Sequence, residues 1–106
     1  MVDVTIKLTV PTGKRKEVFQ TFTSILTKIR REKGCLSCNC YVDIEAENKI
    51  YFKEEWQTSD DMSSHLRSVH FGVLIGVMKM LDQEPEFRFD TISSTAGAEV
   101  LKAARA

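Results

Sequence analysis

Residues 36–57, LSCNCYVDIEAENKIYFKEEWQ, contain two runs of period-two alternation around a polar break. In the first run Leu36, Cys38, Cys40, Val42 and Ile44 share one side, and Ser37, Asn39, Tyr41 and Asp43 share the other, the pattern of a strand with one buried face. In the second, Lys49 to Gln57, the residues Ile50, Phe52, Glu54 and Trp56 alternate with Tyr51, Lys53, Glu55 and Gln57. Glu47-Asn48 offers turn chemistry between them, so the two runs predict an antiparallel hairpin. One position breaks the pattern. Glu54 places a carboxylate in the apolar row between Phe52 and Trp56, where loss of water disfavours its charge unless a partner meets it.

Upstream, Val2, Val4, Ile6, Leu8 and Val10 alternate with Asp3, Thr5, Lys7 and Thr9, which predicts a half-buried first strand that ends at Pro11-Thr12-Gly13. Val18, Phe22, Ile25 and Ile29, joined by Phe19 and Leu26, then recur at helical spacing up to Arg31, with Gly34 as a natural stop. Downstream, Thr58-Ser59-Asp60-Asp61 combines a capping hydroxyl with acidic residues at the positive end of a helix dipole. That helix is expected to run to about Val69, bend at Gly72 and continue from Val73 to Leu81, with Leu74, Val77, Met78 and Leu81 on its buried side. Pro85 ends it. Phe87, Phe89 and Thr91 alternate with Arg88 and Asp90 in a short fourth strand, and Ala96 to Ala106 is an Ala-rich stretch of helical propensity.

The order β-α-β-β-α-β is an α+β, ferredoxin-like plan: a four-stranded antiparallel sheet with its helices on one face. The expected division is a domain over residues 1–93 and a helical tail over 94–106. The uncovered face would carry Thr5, Lys7, Asn39, Tyr41, Tyr51, Lys53 and Arg88, suited to water or to a second copy of the chain.

Composition narrows the function classes. The 106 residues fit one domain, and 42% apolar with 28% charged residues is globular composition. Fifteen basic and fifteen acidic side chains cancel, leaving no field to recruit nucleic acid or an anionic membrane. The N-terminus lacks a basic and then apolar leader, and no apolar run approaches the roughly 20 residues needed to cross a bilayer. A cytoplasmic protein is expected. Cys35, Cys38 and Cys40, odd in number and crowded together, suit reduced thiols better than a secreted disulfide framework.

The residues that could carry chemistry start from Glu54. Met62, His65, Leu66 and Val69 follow the i, i+3, i+4, i+7 rule, so His65 falls on the inward stripe of the helix after the third strand. Glu54 and His65 are then expected to converge beside Trp56 in a pocket. Such a pair could shuttle a proton near neutral pH, with the indole as a flat wall for an aromatic substrate. Taken alone, the same residues more often form a satisfied polar pair beside a core Trp. His70 shares a stripe with Leu74, Val77 and Leu81, where a lone His is usually structural. The cysteines read C-x2-C-x-C, but simple alternation points Cys35 away from Cys38 and Cys40, a poor cage for a metal. Cys38 and Cys40 suit the pocket wall instead.

Gly34-Cys35-Leu36, Glu54-Glu55-Trp56, His65-Leu66 and Ser68-Val69-His70-Phe71, spread over about residues 2 to 92, resemble the antibiotic biosynthesis monooxygenase domain. The resemblance implies a homodimeric α+β barrel whose sheets pack together, with one pocket per subunit between sheet and helices. It also implies oxygenation of a small quinol or phenol by dioxygen with no metal, flavin or other cofactor. Carried over to this chain, His65 becomes the base or proton shuttle, Glu54 its orienting partner and Trp56 the stacking wall, with Phe52, Cys38, Cys40, Leu66 and Phe71 lining the substrate. A non-catalytic dimeric module binding a small ligand in the same pocket is the alternative. A heme-degrading branch of the family uses an Asn, Trp and His triad; Trp56 and His65 have counterparts, but the first strand offers Val4, Ile6 and Leu8 inward and no Asn.

Overall fold

The computed structural model describes residues 1–106. Strand β1 spans Val2–Thr9, helix α1 Arg15–Ile29, β2 Cys35–Asp43, β3 Ala46–Trp56, α2 Ser59–Leu66, α3 Val69–Lys79, β4 Glu86–Thr91 and α4 Ala98–Ala104. The sheet is antiparallel with strand order β2-β3-β1-β4, the α+β ferredoxin-like arrangement. Val4, Ile6, Leu8, Ile50, Phe52 and Trp56 on one sheet face meet Val18, Phe22, Ile25 and Ile29 of α1 and Phe71, Leu74, Val77 and Met78 of α3. Those faces form a single core, because each amphipathic element has only one apolar side to bury.

Four local expectations are corrected. The hairpin turns at Ile44-Glu45, not at Glu47-Asn48, because the Asp43 carboxylate accepts the Glu45 backbone N–H at 2.9 Å and closes a tight turn; Glu47 and Asn48 lie inside β3. Ile44, expected on the inward row, is consequently 98% exposed. The break between the second and third helices falls at Arg67-Ser68, not at Gly72. Ser68 adopts extended backbone and its hydroxyl accepts the Phe71 N–H at 3.2 Å, a helix cap that restarts the chain in a new direction. Finally, the register of β2 slips between Cys35 and Ser37, so Cys35 stands opposite Trp56, and Cys38 and Cys40 stand opposite Glu54 and Phe52. The bulge at Leu36 thereby puts all three thiols on the helix side, against the divergence that plain alternation predicts.

Gly34 enters β2 at φ 80°, the left-handed region, and its carbonyl accepts the Gln57 N–H at 2.8 Å. A Cβ there would also collide with the Asp61 side chain. Gly34→Ala is therefore expected to lose about 1–3 kcal/mol in urea unfolding, from the backbone conformation plus displacement of Asp61. An unchanged midpoint would mean the turn relaxes without cost.

Candidate functional site

Glu54 comes from the middle of β3 and Trp56 from its end, two residues apart and hence on the same face. Helix α2 lies across them because Thr58 caps it, its hydroxyl accepting the Asp61 N–H at 3.1 Å, and this sets His65 over the strand. The three side chains meet. Trp56 Nε1 donates to Glu54 Oε1 at 3.0 Å, and His65 Nε2 donates to Glu54 Oε2 at 2.8 Å. The imidazole stacks on the indole with ring centroids 4.5 Å apart, and Phe71 meets the imidazole edge-on at 5.3 Å.

The expected pocket does not open among them. Trp56 is 0% exposed, Glu54 and His65 1% each, and the indole face expected to stack on a ligand is already covered by His65. Of the other expected lining residues, Cys38, Phe52 and Phe71 are buried in the core, Leu66 is half-buried beside it, and Cys40 alone borders open space.

Two residues complete the cluster. Glu32, in the turn after α1, accepts from His65 Nδ1 at 3.0 Å and from His70 Nδ1 at 3.0 Å through the same oxygen, Oε2. A chain of hydrogen bonds thus runs Trp56–Glu54–His65–Glu32–His70, from a fully buried indole to a partly exposed imidazole. At its outer end Glu32, Lys33, Asp60, Asp61, Ser64 and His65 line a polar depression of about 290 Å3.

Both ring nitrogens of His65 face carboxyl oxygens, an arrangement that favours the doubly protonated imidazolium. Burial by itself would lower its pKa, but the hydrogen bond and charge of Glu54, joined by those of Glu32, outweigh burial and raise it above the ordinary 6.5. Because folding raises this pKa, the protonated ring stabilises the fold fully below pH 6.5, and that contribution fades as pH climbs through the folded-state value. Unfolding free energy measured from pH 6 to pH 9 should accordingly fall, and the fall should be smaller in His65→Leu. A profile that instead rises over that range contradicts the imidazolium.

The apolar space lies one step along the sheet. Phe19, Phe22, Thr23 and Leu26 of α1 and Cys40 and Val42 of β2 border a cleft of about 230 Å3. It exists because Cys40 and Val42 are short where α1 contributes large rings, leaving volume between helix and strand. Phe22 forms its floor, held edge-on against Phe52 at 5.4 Å. Burial pushes the Cys40 thiol up to about 11, so it stays neutral at physiological pH, as does Cys38, pushed higher still by burial. The Thr23 hydroxyl at the rim donates to the Phe19 carbonyl at 2.8 Å.

The chain is an α+β ferredoxin-like domain with a buried Glu–His–Trp cluster and an apolar cleft between its first helix and the sheet edge. The model of the antibiotic biosynthesis monooxygenase family matches residues 1–75, and the chain belongs to that family. Among solved structures, a Deinococcus radiodurans protein carrying the same monooxygenase description superposes with a TM-score of 0.85 at 19% identity, over 92% of this chain and 97% of its own. A conserved protein of Methanosarcina mazei Go1 is 26% identical, with a TM-score of 0.79 over 84% of this chain and 89% of its own. Rv0793 of Mycobacterium tuberculosis gives 0.80 at 18% identity, over 91% and 98%. No curated protein sequence matches the chain significantly.

Proposed function

We propose that this protein is a cofactor-independent monooxygenase of a small, electron-rich phenol or quinol, bound in the cleft between α1 and β2. The observation that carries this is the cleft itself: about 230 Å3, apolar on almost every side, on a chain of the monooxygenase family. An apolar cavity of roughly 150 Å3 already takes up benzene, so a substituted single ring fits. In the overall reaction a quinol and dioxygen give a hydroxyquinone and water. One oxygen atom enters the ring, the other leaves as water, and the quinol supplies the electrons and the protons of that water. The phenolic proton leaves to water at the open side of the cleft, and Phe19, Phe22 and Leu26 exclude solvent from the rest of the phenolate, whose charge is then less shielded and more reducing toward dioxygen. His65, hydrogen-bonded to Glu54 and Glu32, acts as the proton shuttle of the core by passing a proton to the outer carboxylate of Glu32 and taking one back, with Glu54 orienting it and Trp56 stacked behind it. The open sheet face, which carries Lys7, Lys53 and Arg88 alongside Asp3, Glu55 and Asp90, serves the homodimer, since two copies of a mixed-charge face can meet with opposite signs.

A second reading, a dimeric module that binds the same ligand without chemistry, is favoured by one fact: Glu54, His65 and Trp56 spend their hydrogen bonds on one another and on Glu32. Oxygen uptake by metal-free protein with a panel of hydroquinones separates the two. The oxygenase consumes oxygen, and Cys40→Phe, which fills the cleft, lowers the rate at least tenfold without moving the thermal midpoint. Ligand binding without uptake selects the binding module. Uptake unaffected by Cys40→Phe rejects the cleft.

A further inference from the structure

His65 is sealed on its inner side. Its side chain is fully buried, and Nε2 leads only to the equally buried Glu54 and through it to the indole of Trp56. A proton can therefore enter or leave the ring only through Nδ1, which faces Glu32. Glu32 is fixed from both directions along the chain: its backbone N–H donates to the Ile29 carbonyl at 3.0 Å, and its carbonyl accepts the Cys35 N–H at 3.2 Å. His70 reaches the same carboxylate because of the corner at Arg67-Ser68. In an unbroken helix, residues five apart would point roughly 140° away from each other. The Ser68 cap restarts the chain as α3 and turns His70 back toward Glu32. One oxygen, Glu32 Oε2, then lies 3.0 Å from the Nδ1 atoms of both rings. Beyond it His70 is the most exposed member of the chain of hydrogen bonds, with 33% of its side chain in water and Nε2 free of any protein partner.

We propose that His70 is the proton port of the buried His65, with Glu32 Oε2 as the relay between them. This rests on the reading of His65 as a proton shuttle. On the inward path solvent protonates His70 at Nε2, His70 Nδ1 gives its proton to Glu32 Oε2, and the resulting carboxylic acid gives a proton to Nδ1 of a neutral His65. The carboxyl group need not rotate, since the oxygen that takes the proton already touches the nitrogen that receives it. One proton leaves the solvent and one arrives on His65. Glu32 returns to its carboxylate, and His70 is left neutral with its proton on Nε2, to be reset by rotation of its partly exposed ring. The outward path is the reverse. Imidazole and carboxylate are the groups suited to such exchange near neutral pH. The charges around the path favour it. Glu54 of β3 balances the charge that His65 gains. At the mouth beside Glu32, Asp60 and Asp61 of α2 outnumber Lys33 of the turn, an excess of negative charge that attracts an arriving proton. Cys35 of β2 adds no charge, because burial, Glu54 and Glu32 all push its thiol up and keep it protonated.

The test uses the full chain, isotope-labelled so that NMR resolves the ring N–H protons of His65 and follows their exchange with water by saturation transfer at pH 7. His70→Gln keeps a donor toward Glu32 but has no proton to pass on, so it preserves the contact and closes the port. Exchange of the His65 Nδ1–H should slow at least tenfold in this variant, and equally in His70→Leu. In His70→Ala, which vacates the space of the ring, added imidazole should restore most of the lost rate while leaving the wild type unchanged. A wild-type exchange rate in His70→Gln would show that water serves Glu32 directly and would overturn the port. Slow exchange in His70→Ala that imidazole does not restore would overturn it as well, and this arm decides even where the variants lower the thermal midpoint, because it compares one variant with itself. Oxygen uptake with hydroquinones is followed separately on the wild type. A working port in a protein that consumes no oxygen removes the oxygenase reading and leaves the relay standing.

Discussion

Replacing His65 by Leu should destabilise the fold by about 3–5 kcal/mol, the cost of removing one partner of a buried ion pair. Glu54 then keeps only the indole N–H, at 3.0 Å, and its Oε2 faces the core with no donor. For a chain of this size the thermal midpoint should drop by 10 °C or more, on the order of 4–8 °C per kcal/mol. Glu54→Leu alone should cost a similar amount, because the imidazolium is then left with Glu32 only. The double variant Glu54→Leu/His65→Leu removes both charges, and a buried pair replaced by apolar side chains of similar volume is often close to neutral. It should therefore lose clearly less than the two single losses added together. Strict additivity in denaturant titrations would show that the two groups do not interact as the 2.8 Å hydrogen bond requires.

Trp56→Ala carries the second large effect, about 3–5 kcal/mol from the cavity alone. Trp56 is the largest fully buried side chain, and removing it strips His65 of its stacking partner and Glu54 of a donor together. Trp56→Phe separates these contributions. A phenyl ring preserves most of the packing but not the N–H, so the loss should shrink to about 1–3 kcal/mol, the cost of one unsatisfied buried acceptor. Both values come from chemical denaturation monitored by far-ultraviolet circular dichroism, since tryptophan fluorescence disappears with the residue. If Trp56→Phe is as damaging as Trp56→Ala, the indole N–H matters more than the packing it provides.

The element order and the convergence of Glu54, Trp56 and His65 were legible because each rests on periodicity. A carboxylate in the inward row of one strand and an imidazole in the inward stripe of the next helix have few other places to go. Glu32 was not legible. It sits among Arg31 and Lys33 in a turn, where no period tells which way a side chain points, and it reaches both imidazoles only because the chain reverses at Gly34. The cleft was equally hidden, since it is volume left over between large residues on α1 and short ones on β2, a property of fitted shapes and not of pattern. Its lining residues, Phe19, Phe22 and Leu26, read as ordinary core positions. The turn at Ile44-Glu45 and the bulge at Leu36 depend on one hydrogen bond and one slipped pair respectively. Either is enough to move a side chain to the opposite face.

These differences shift the weight of the site. The cluster that the sequence brings to attention is a closed, hydrogen-bonded part of the core, and the proposed ligand space lies beside Cys40. The two are neighbours on β2 and β3, where Cys38 pairs with Glu54 and Cys40 with Phe52. A ligand in the cleft would therefore sit against the pair next to the buried carboxylate on the same sheet face.

That separation can be tested directly by titrating isotope-labelled protein with hydroquinone and following the backbone amides by two-dimensional NMR. The largest shifts are expected at Phe19, Phe22, Thr23, Leu26, Cys40 and Val42, with weaker changes at Glu54 and His65. Largest shifts at Glu54, Trp56 and His65, with residues 19–26 unmoved, would contradict it and return the ligand to the Glu–His–Trp cluster.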